Sequence, residues 1–145
     1  MTTLAWDGHT LAADKLCDDN GIKRTTTKIW KIKDCLLGVT GSAVNGKSLL
    51  NWYCDGKDPD TFPYCKDKEA ISILIEITKD GKINQYWDSP YPIVYEDTKA
   101  AFGSGRDFAT AVMDLGFGAI NAVETACKFD VSSGMGVDFL TLNGA

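Results

Sequence analysis

The 145-residue chain is expected to fold as an α+β layered protein built on antiparallel sheets. Two observations carry this expectation. β-rich segments come in adjacent pairs separated by turn dipeptides, which is the pattern of hairpins rather than of βαβ crossovers. The helical segments are grouped, so that the order is strands, helix, strands, two helices, strand. With 44% hydrophobic residues, the chain has the material for one core and a single domain spanning 1–145.

The elements follow in order. "TTLAWDGHTLAAD" reads as strands over 2–6 and 9–14 around Asp7-Gly8, a dipeptide suited to a two-residue type I′ turn. That turn sets Trp6 against His9, Leu4 against Leu11 and Thr2 against Ala13, and leaves Asp14 opposite position 1. Residues 15–25 are polar, hold Asn20-Gly21 and read as a loop or second turn. "TTKIWKI" (26–32) and "CLLGVTG" (35–41) form a second hairpin around Lys33-Asp34. Alternation places Thr26, Lys28, Trp30 and Ile32 on one face, and Lys31 and Lys33 on the other. A short helix is expected from Ser42 to Cys54. Residues 55–69, with two prolines and four aspartates, read as a loop. Strands are expected at 70–78 and 82–87 around Lys79-Asp80-Gly81, then a break at "DSPYP" and a short strand within 98–105. Helices over 105–115 and 118–128 follow; Ala119, Ala122, Val123 and Ala126 give the second its apolar stripe. "DVSSGMG" is a loop and 137–142 a last strand.

Composition narrows the function classes. A formal net charge of −5 and a pI near 4.7 argue against nucleic acid or anionic membranes as partners. No apolar run is long enough to span a bilayer. The five cysteines are scattered and odd in number, with no CxxC pair and a single histidine, so they read as reduced thiols of a cytoplasmic protein rather than as a metal site.

One motif stands out. "GVTGSAVNGKSLL" matches the phosphate-binding P-loop pattern from Gly41 to Ser48, behind an apolar strand. Its context is wrong for a nucleotide site. The preceding strand is the second arm of a hairpin, and no later strand ends in a clear magnesium-binding aspartate; "ISILIEI" offers only the internal Glu76. Nucleotide binding stays an alternative, and otherwise Lys47 is an ordinary lysine of the first helix.

A second feature lies at the chain start. Thr2 becomes the first residue if Met1 is removed, as methionine aminopeptidases do before a small residue. A terminal threonine offers a hydroxyl nucleophile and an α-amine that can serve as its general base. The amine's ordinary pKa of about 7.7–8.0 falls further beside a cation, and a backbone N–H must stabilise the oxyanion.

Taken together, the motifs resemble the proteasome β-subunit family, which includes the bacterial two-component heat-shock protease subunit. The resemblance runs nearly end to end. "TTLAWDGHTLAAD" resembles the family's opening hairpin, which maps the nucleophile to Thr2 and its acidic partner to Asp14. "TTKIWKI" resembles the strand bearing the catalytic lysine, here Lys28. "GVTGSA" resembles the strand end whose glycine N–H forms the oxyanion hole, here Gly41. "AAFGSGRDFATAV" places a supporting serine at Ser104, and "DVSSGMGVDFLTL" places Asp130 and Ser133 near the terminal amine. By the same analogy Val39 lies at the floor of the pocket for the residue on the acyl side of the cut.

The resemblance implies an N-terminal-nucleophile hydrolase fold, a four-layer αββα sandwich of two antiparallel sheets, with a reduced first helical layer because residues 55–69 do not suit a second helix. It implies a threonine peptidase that cleaves peptides or unfolded proteins without metal or organic cofactor, assembles as a homo-oligomer and works with an ATPase unfoldase. The chain ends at Ala145 soon after one strand, where relatives usually continue, which weakens the expectations of ring and unfoldase. A catalytically inactive structural or regulatory relative is the alternative within the same family.

Overall fold

The computed structural model describes residues 1–143. Its elements run β1 (Thr3–Trp6), β2 (Thr10–Asp14), β3 (Leu16–Asp19), β4 (Ile22–Thr25), β5 (Ile29–Ile32), β6 (Cys35–Thr40), α1 (Ala43–Cys54), β7 (Ile73–Ile77), β8 (Ile83–Trp87), β9 (Ile93–Tyr95), β10 (Ala100–Gly103), α2 (Arg106–Asp114), α3 (Ala119–Phe129) and β11 (Val137–Thr141). All strand pairings are antiparallel. A four-stranded sheet has the order β10-β1-β2-β11, a five-stranded sheet β5-β6-β7-β8-β9, and β3-β4 stands as a separate two-stranded hairpin. The α+β class and the placement of the three helices agree with the sequence reading.

Three apolar clusters hold these elements. Leu4, Trp6, Leu11 and Ala13 of the four-stranded sheet pack on Ile29, Leu36, Ile75, Ile77 and Ile83 of the five-stranded sheet. The opposite face of β1 and β2, through Ala5 and Ala12, packs on Ala109 and Met113 of α2 and on Ala119, Ala122 and Val123 of α3. Alanine on both partners lets helix and sheet approach closely. The outer face of the five-stranded sheet, through Leu37, Leu74 and Tyr86, packs on Leu49, Leu50 and Trp52 of α1 and on Phe62. Phe62 belongs to the segment between α1 and β7, which carries single 3₁₀ turns at Pro59–Thr61 and Lys68–Ala70. Its ring meets Trp52 edge-on at 4.9 Å, and Trp52 Nε1 donates to the Asp58 carbonyl at 2.7 Å. One aromatic side chain thus anchors a stretch that sequence alone marks as a loop.

Several local expectations are corrected. The first hairpin turns on Gly8-His9, not Asp7-Gly8: Asp7 N donates to the Thr10 carbonyl, and Leu4 pairs with Ala13, Ala5 with Ala12 and Trp6 with Leu11. Gly8 takes φ +96°, which suits glycine first in a two-residue turn of the II′ kind. The Asp7 side chain decides the matter. Its carboxylate accepts from the N–H groups of His9 and Thr10 at 2.9 and 2.7 Å and of Ala119, at the start of α3, at 2.8 Å. The partners shift by two residues, so each side chain keeps its face, and Asp14 comes opposite Thr3 rather than position 1. Of the loop or second turn expected for residues 15–25, the structure takes the turn: they form the β3–β4 hairpin, with Asn20 (φ +51°) and Gly21 (φ +90°) at the turn and Asp19 paired with Ile22. The "DSPYP" break is followed by β9, a short edge strand absent from the sequence reading. Thr26 to Lys28 precede β5 instead of belonging to it.

Candidate active site

Asp14, at the end of β2, is fully buried and Lys28 is 5% exposed. Lys28 Nζ donates to Asp14 Oδ1 at 2.9 Å. The same oxygen accepts from Thr3 N at 2.9 Å, while Oδ2 accepts from Leu16 N at 3.2 Å and Gly134 N at 3.0 Å. Lys28 Nζ also donates to the Met1 carbonyl at 3.1 Å. The ammonium therefore touches the peptide group that joins Met1 to Thr2. A buried ion pair is a poor source of net stability because both charges must leave water, which makes one placed against the chain start a functional candidate.

Thr2 is 3% exposed and is held through its backbone. Its carbonyl accepts from Gly105 N at 3.4 Å and lies 3.3 Å from Ser104 Oγ. Ser104 Oγ and Ser133 Oγ each donate to Asp130 Oδ2 at 2.6 Å, and Ser133 Oγ shares a 2.7 Å hydrogen bond with Thr3 Oγ1. Gly103 has φ +93°, and a Cβ there would run into the Thr2 carbonyl, so only glycine lets β10 pass this close. A chain of hydroxyls anchored on one carboxylate thereby fixes residues 2 and 3 from the α2–α3 side, while Asp14 and Lys28 fix them from the other.

Two charges respond to this setting. The α-amine of Met1 has its pKa held below the ordinary 8.0 by burial of the group, then by the Lys28 ammonium, with Asp14 opposing. Burial pushes the Asp130 carboxyl up, but hydrogen bonds from Ser104, Ser133 and the Ser132 N–H outweigh it, so the carboxyl lies below its ordinary 3.8; the nearby terminal ammonium acts in the same sense.

A cleft of about 820 Å³ reaches Thr2 from one side, lined among others by Thr26, Lys28, Trp30, Val39 and Gly41. A smaller one of about 460 Å³ reaches it from the other side, past Thr40, Gly41, Ser42 and Ser104. Gly41, with φ +90°, follows the end of β6 where the two meet. The candidate residues named from the sequence therefore gather at one place: Thr2, Asp14, Lys28, Ser104, Asp130 and Ser133 through hydrogen bonds, Gly41 and Val39 through the clefts beside Thr2. The sequence reading missed Thr3, whose hydroxyl and N–H each join a network. Its signal was the Thr-Thr pair itself, since adjacent strand residues face opposite sides.

The phosphate-loop pattern has another physical cause. α1 starts at Ala43, capped by Ser42, so only Gly41 and Ser42 separate strand from helix and no loop is left to wrap a phosphate. Gly46 lies inside α1, where a Cβ would come within 3.3 Å of the Val39 side chain; it serves helix–strand packing. Lys47 is a lysine of the first helix, as read, and its exposed side chain also lines the larger cleft. Among the described residues no cluster of three or more His, Cys, Asp or Glu could hold a metal ion, and no helix is long and apolar enough to cross a membrane.

Neither a protein-family model nor a curated protein matches the sequence. Solved structures match its fold. BPH from Thiobacillus denitrificans in complex with epoxomicin superposes with a TM-score of 0.73 at 17% identity, covering 98% of this chain and 99% of that one. Another structure of the same protein gives 0.70 at 18% identity, with 97% of each chain covered. Eukaryotic HslV from Trypanosoma brucei gives 0.71 at 21% identity, covering 96% of this chain and 97% of that one. The two larger antiparallel sheets and the helices of the described residues therefore take the proteasome-like fold of the HslV and BPH structures.

Proposed function

We propose that this chain is a compact proteasome β-type threonine peptidase, a single domain in which Thr2 acts after Met1 is removed. The observation that carries the reading is the buried Lys28–Asp14 pair set against the Met1–Thr2 peptide group. Removal of Met1 frees an amine on Thr2 within reach of that ammonium. Thr2 Oγ then attacks a peptide carbonyl while its own amine takes the proton, directly or through water. Lys28 keeps the amine neutral by its charge, and Asp14 orients Lys28. The Gly41 N–H holds the oxyanion of the tetrahedral intermediate. The leaving amine departs with the proton, an ester to Thr2 remains, and water hydrolyses it. Ser104, Asp130 and Ser133 position Thr2 through its carbonyl and through Thr3.

The three core clusters are read as the interfaces of a four-layer αββα sandwich, with α1 and Phe62 forming the reduced outer layer. Assembly into a homo-oligomer fits the exposed aromatics of α2, α3 and their connection, Phe108, Phe117 and Phe129, because apolar groups grouped on a surface mark interfaces. An ATPase unfoldase is proposed as partner on the fold likeness to HslV. A cytoplasmic location is part of the same reading.

The test begins with intact mass after native expression, which should show Met1 absent. The processed form should cleave unstructured peptides, and epoxomicin, the ligand in one of the BPH structures, should raise its melting temperature. Thr2→Ala should abolish cleavage and that shift. The proposal fails if a form released from a cleavable fusion with Thr2 first neither cleaves peptides nor responds to epoxomicin.

A further inference from the structure

The two clefts that meet at Thr2 carry opposite charge. The larger is lined by Lys23 near the start of β4 and Lys47 at the start of the second turn of α1. Both are exposed, and neither takes part in an ion pair among the described residues. Lys28 lies on the same wall but is already committed to Asp14. The one carboxylate lining this cleft, Asp18, accepts from the Gly21 N–H at 2.8 Å; it stands opposite Lys23 in the β3–β4 ladder without a direct ion pair to it, and leaves Lys47 as the cation with no carboxylate opposite. The smaller cleft holds no lysine or arginine; its charged side chain is Glu69, exposed on the segment before β7. A protein of net charge −5 thus places two lysines against one carboxylate, Asp18, which stands opposite Lys23 in the β3–β4 ladder, on the side of Thr2 that holds Val39, and an anion on the other.

We propose that the cleft selects peptides with acidic side chains on the acyl side of the cut, through Lys23 and Lys47, and that Glu69 turns acidic side chains away from the leaving side. This assignment rests on the peptidase reading above, which makes the Val39 side the acyl side. The ammonium groups stand at an exposed rim, so each contributes a modest, salt-screened attraction. They act on a substrate that must otherwise approach a repelling, acidic surface, and so bear on capture as well as on fit. The β3–β4 hairpin owes its place in the reaction to this: it presents Lys23 over the cleft.

Two measurements test the proposal. In the processed protein, matched fluorogenic peptides carrying Glu, Leu or Lys immediately before the cut are compared by kcat/KM, with a fourth peptide carrying Glu immediately after it. Glu before the cut should exceed Leu by about threefold to tenfold, the range of two exposed ion pairs, and exceed Lys and the displaced Glu by more. The preference should shrink at 0.5 M salt and invert in Lys23→Glu/Lys47→Glu. In the Thr2→Ala chain, binding of the same peptides by fluorescence anisotropy should show the same order and the same inversion. If no peptide is cleaved but the charge-dependent order of binding persists, the peptidase reading falls and the recognition assignment stands. Equal handling of Glu and Lys peptides, an order unmoved by the double charge reversal, or absence of both cleavage and binding would overturn it.

Discussion

Asp14 gathers four donors from four parts of the chain: Thr3 N, Lys28 Nζ, Leu16 N and Gly134 N. This makes it the point on which β1, the segment just before β5 and the loop before β11 are registered. It also means that Lys28→Met strands a buried carboxylate, at a cost of about 3–5 kcal/mol. A double variant, Lys28→Met/Asp14→Asn, removes that charge and keeps the test interpretable. The lysine's electrostatic role predicts a pH effect. Lys28 lowers the pKa of the terminal amine while Asp14 raises it, so removing Lys28 alone moves the amine's titration to higher pH. At a fixed pH below that titration, less of the amine is neutral and less can act as base. Titration of the α-amine by NMR after ¹³C reductive methylation should show the upward shift in Lys28→Met. In the processed enzyme the alkaline-rising limb of kcat/KM should move the same way, with a loss of about 100-fold or more at neutral pH. A limb that stays in place would remove Lys28 from the mechanism. The identities of Thr2, Asp14 and Lys28 were legible from residue type and motif order. The geometry joining them was not, because the Asp7 carboxylate, tied to α3, shifts the hairpin turn by one residue.

At the scale of elements, the loop between α1 and β7 is the part that sequence describes least well. Its Pro, Asp and Gly content correctly argues against an α-helix there. Composition does not reveal that Phe62, buried against Trp52 and beside Tyr64, closes the outer face of the five-stranded sheet. Phe62→Ala should therefore cost about 3 kcal/mol or more in urea denaturation, whereas Phe62→Leu should cost less than half of that. A change below 1 kcal/mol for the alanine variant would show that the loop is not part of the core. The β3–β4 hairpin makes the converse point. Its β4 strand is exposed throughout, so no alternation of buried and open positions announces it, and only Asn20-Gly21 gave a local sign. Edge strand β9 was hidden for the same reason, since Ile93 and Val94 are exposed and two prolines, Pro90 and Pro92, come just before it.

For the molecule as a whole, the fold places the exposed rings of Phe108 and Phe129 side by side, 5.7 Å apart, with Leu115 and Phe117 exposed in the connection between the same two helices. A second copy of the chain would cover such a surface in the proposed homo-oligomer. Native mass spectrometry should give a multiple of 15.8 kDa, and Phe108→Glu/Phe129→Glu should return the monomer mass with little loss of fold, since both side chains are exposed. A native monomer at micromolar concentration would count against assembly through any face.

The sequence by itself determined the class of fold, the antiparallel pairing and the residue types that converge on Thr2. Those features depend on local periodicity, turn chemistry and motif order, which are written within a few residues of each other. The tertiary structure decided the first hairpin's register, the occupant of the outer layer and the surroundings of Lys47. Register followed from Asp7 reaching α3, the outer layer from Phe62 meeting Trp52, and Lys47's place from α1 starting three residues after Thr40, which turns that lysine toward the cleft. The phosphate-loop pattern is spent on packing and on shaping that cleft, because contacts between distant segments, rather than the motif itself, set what each residue faces.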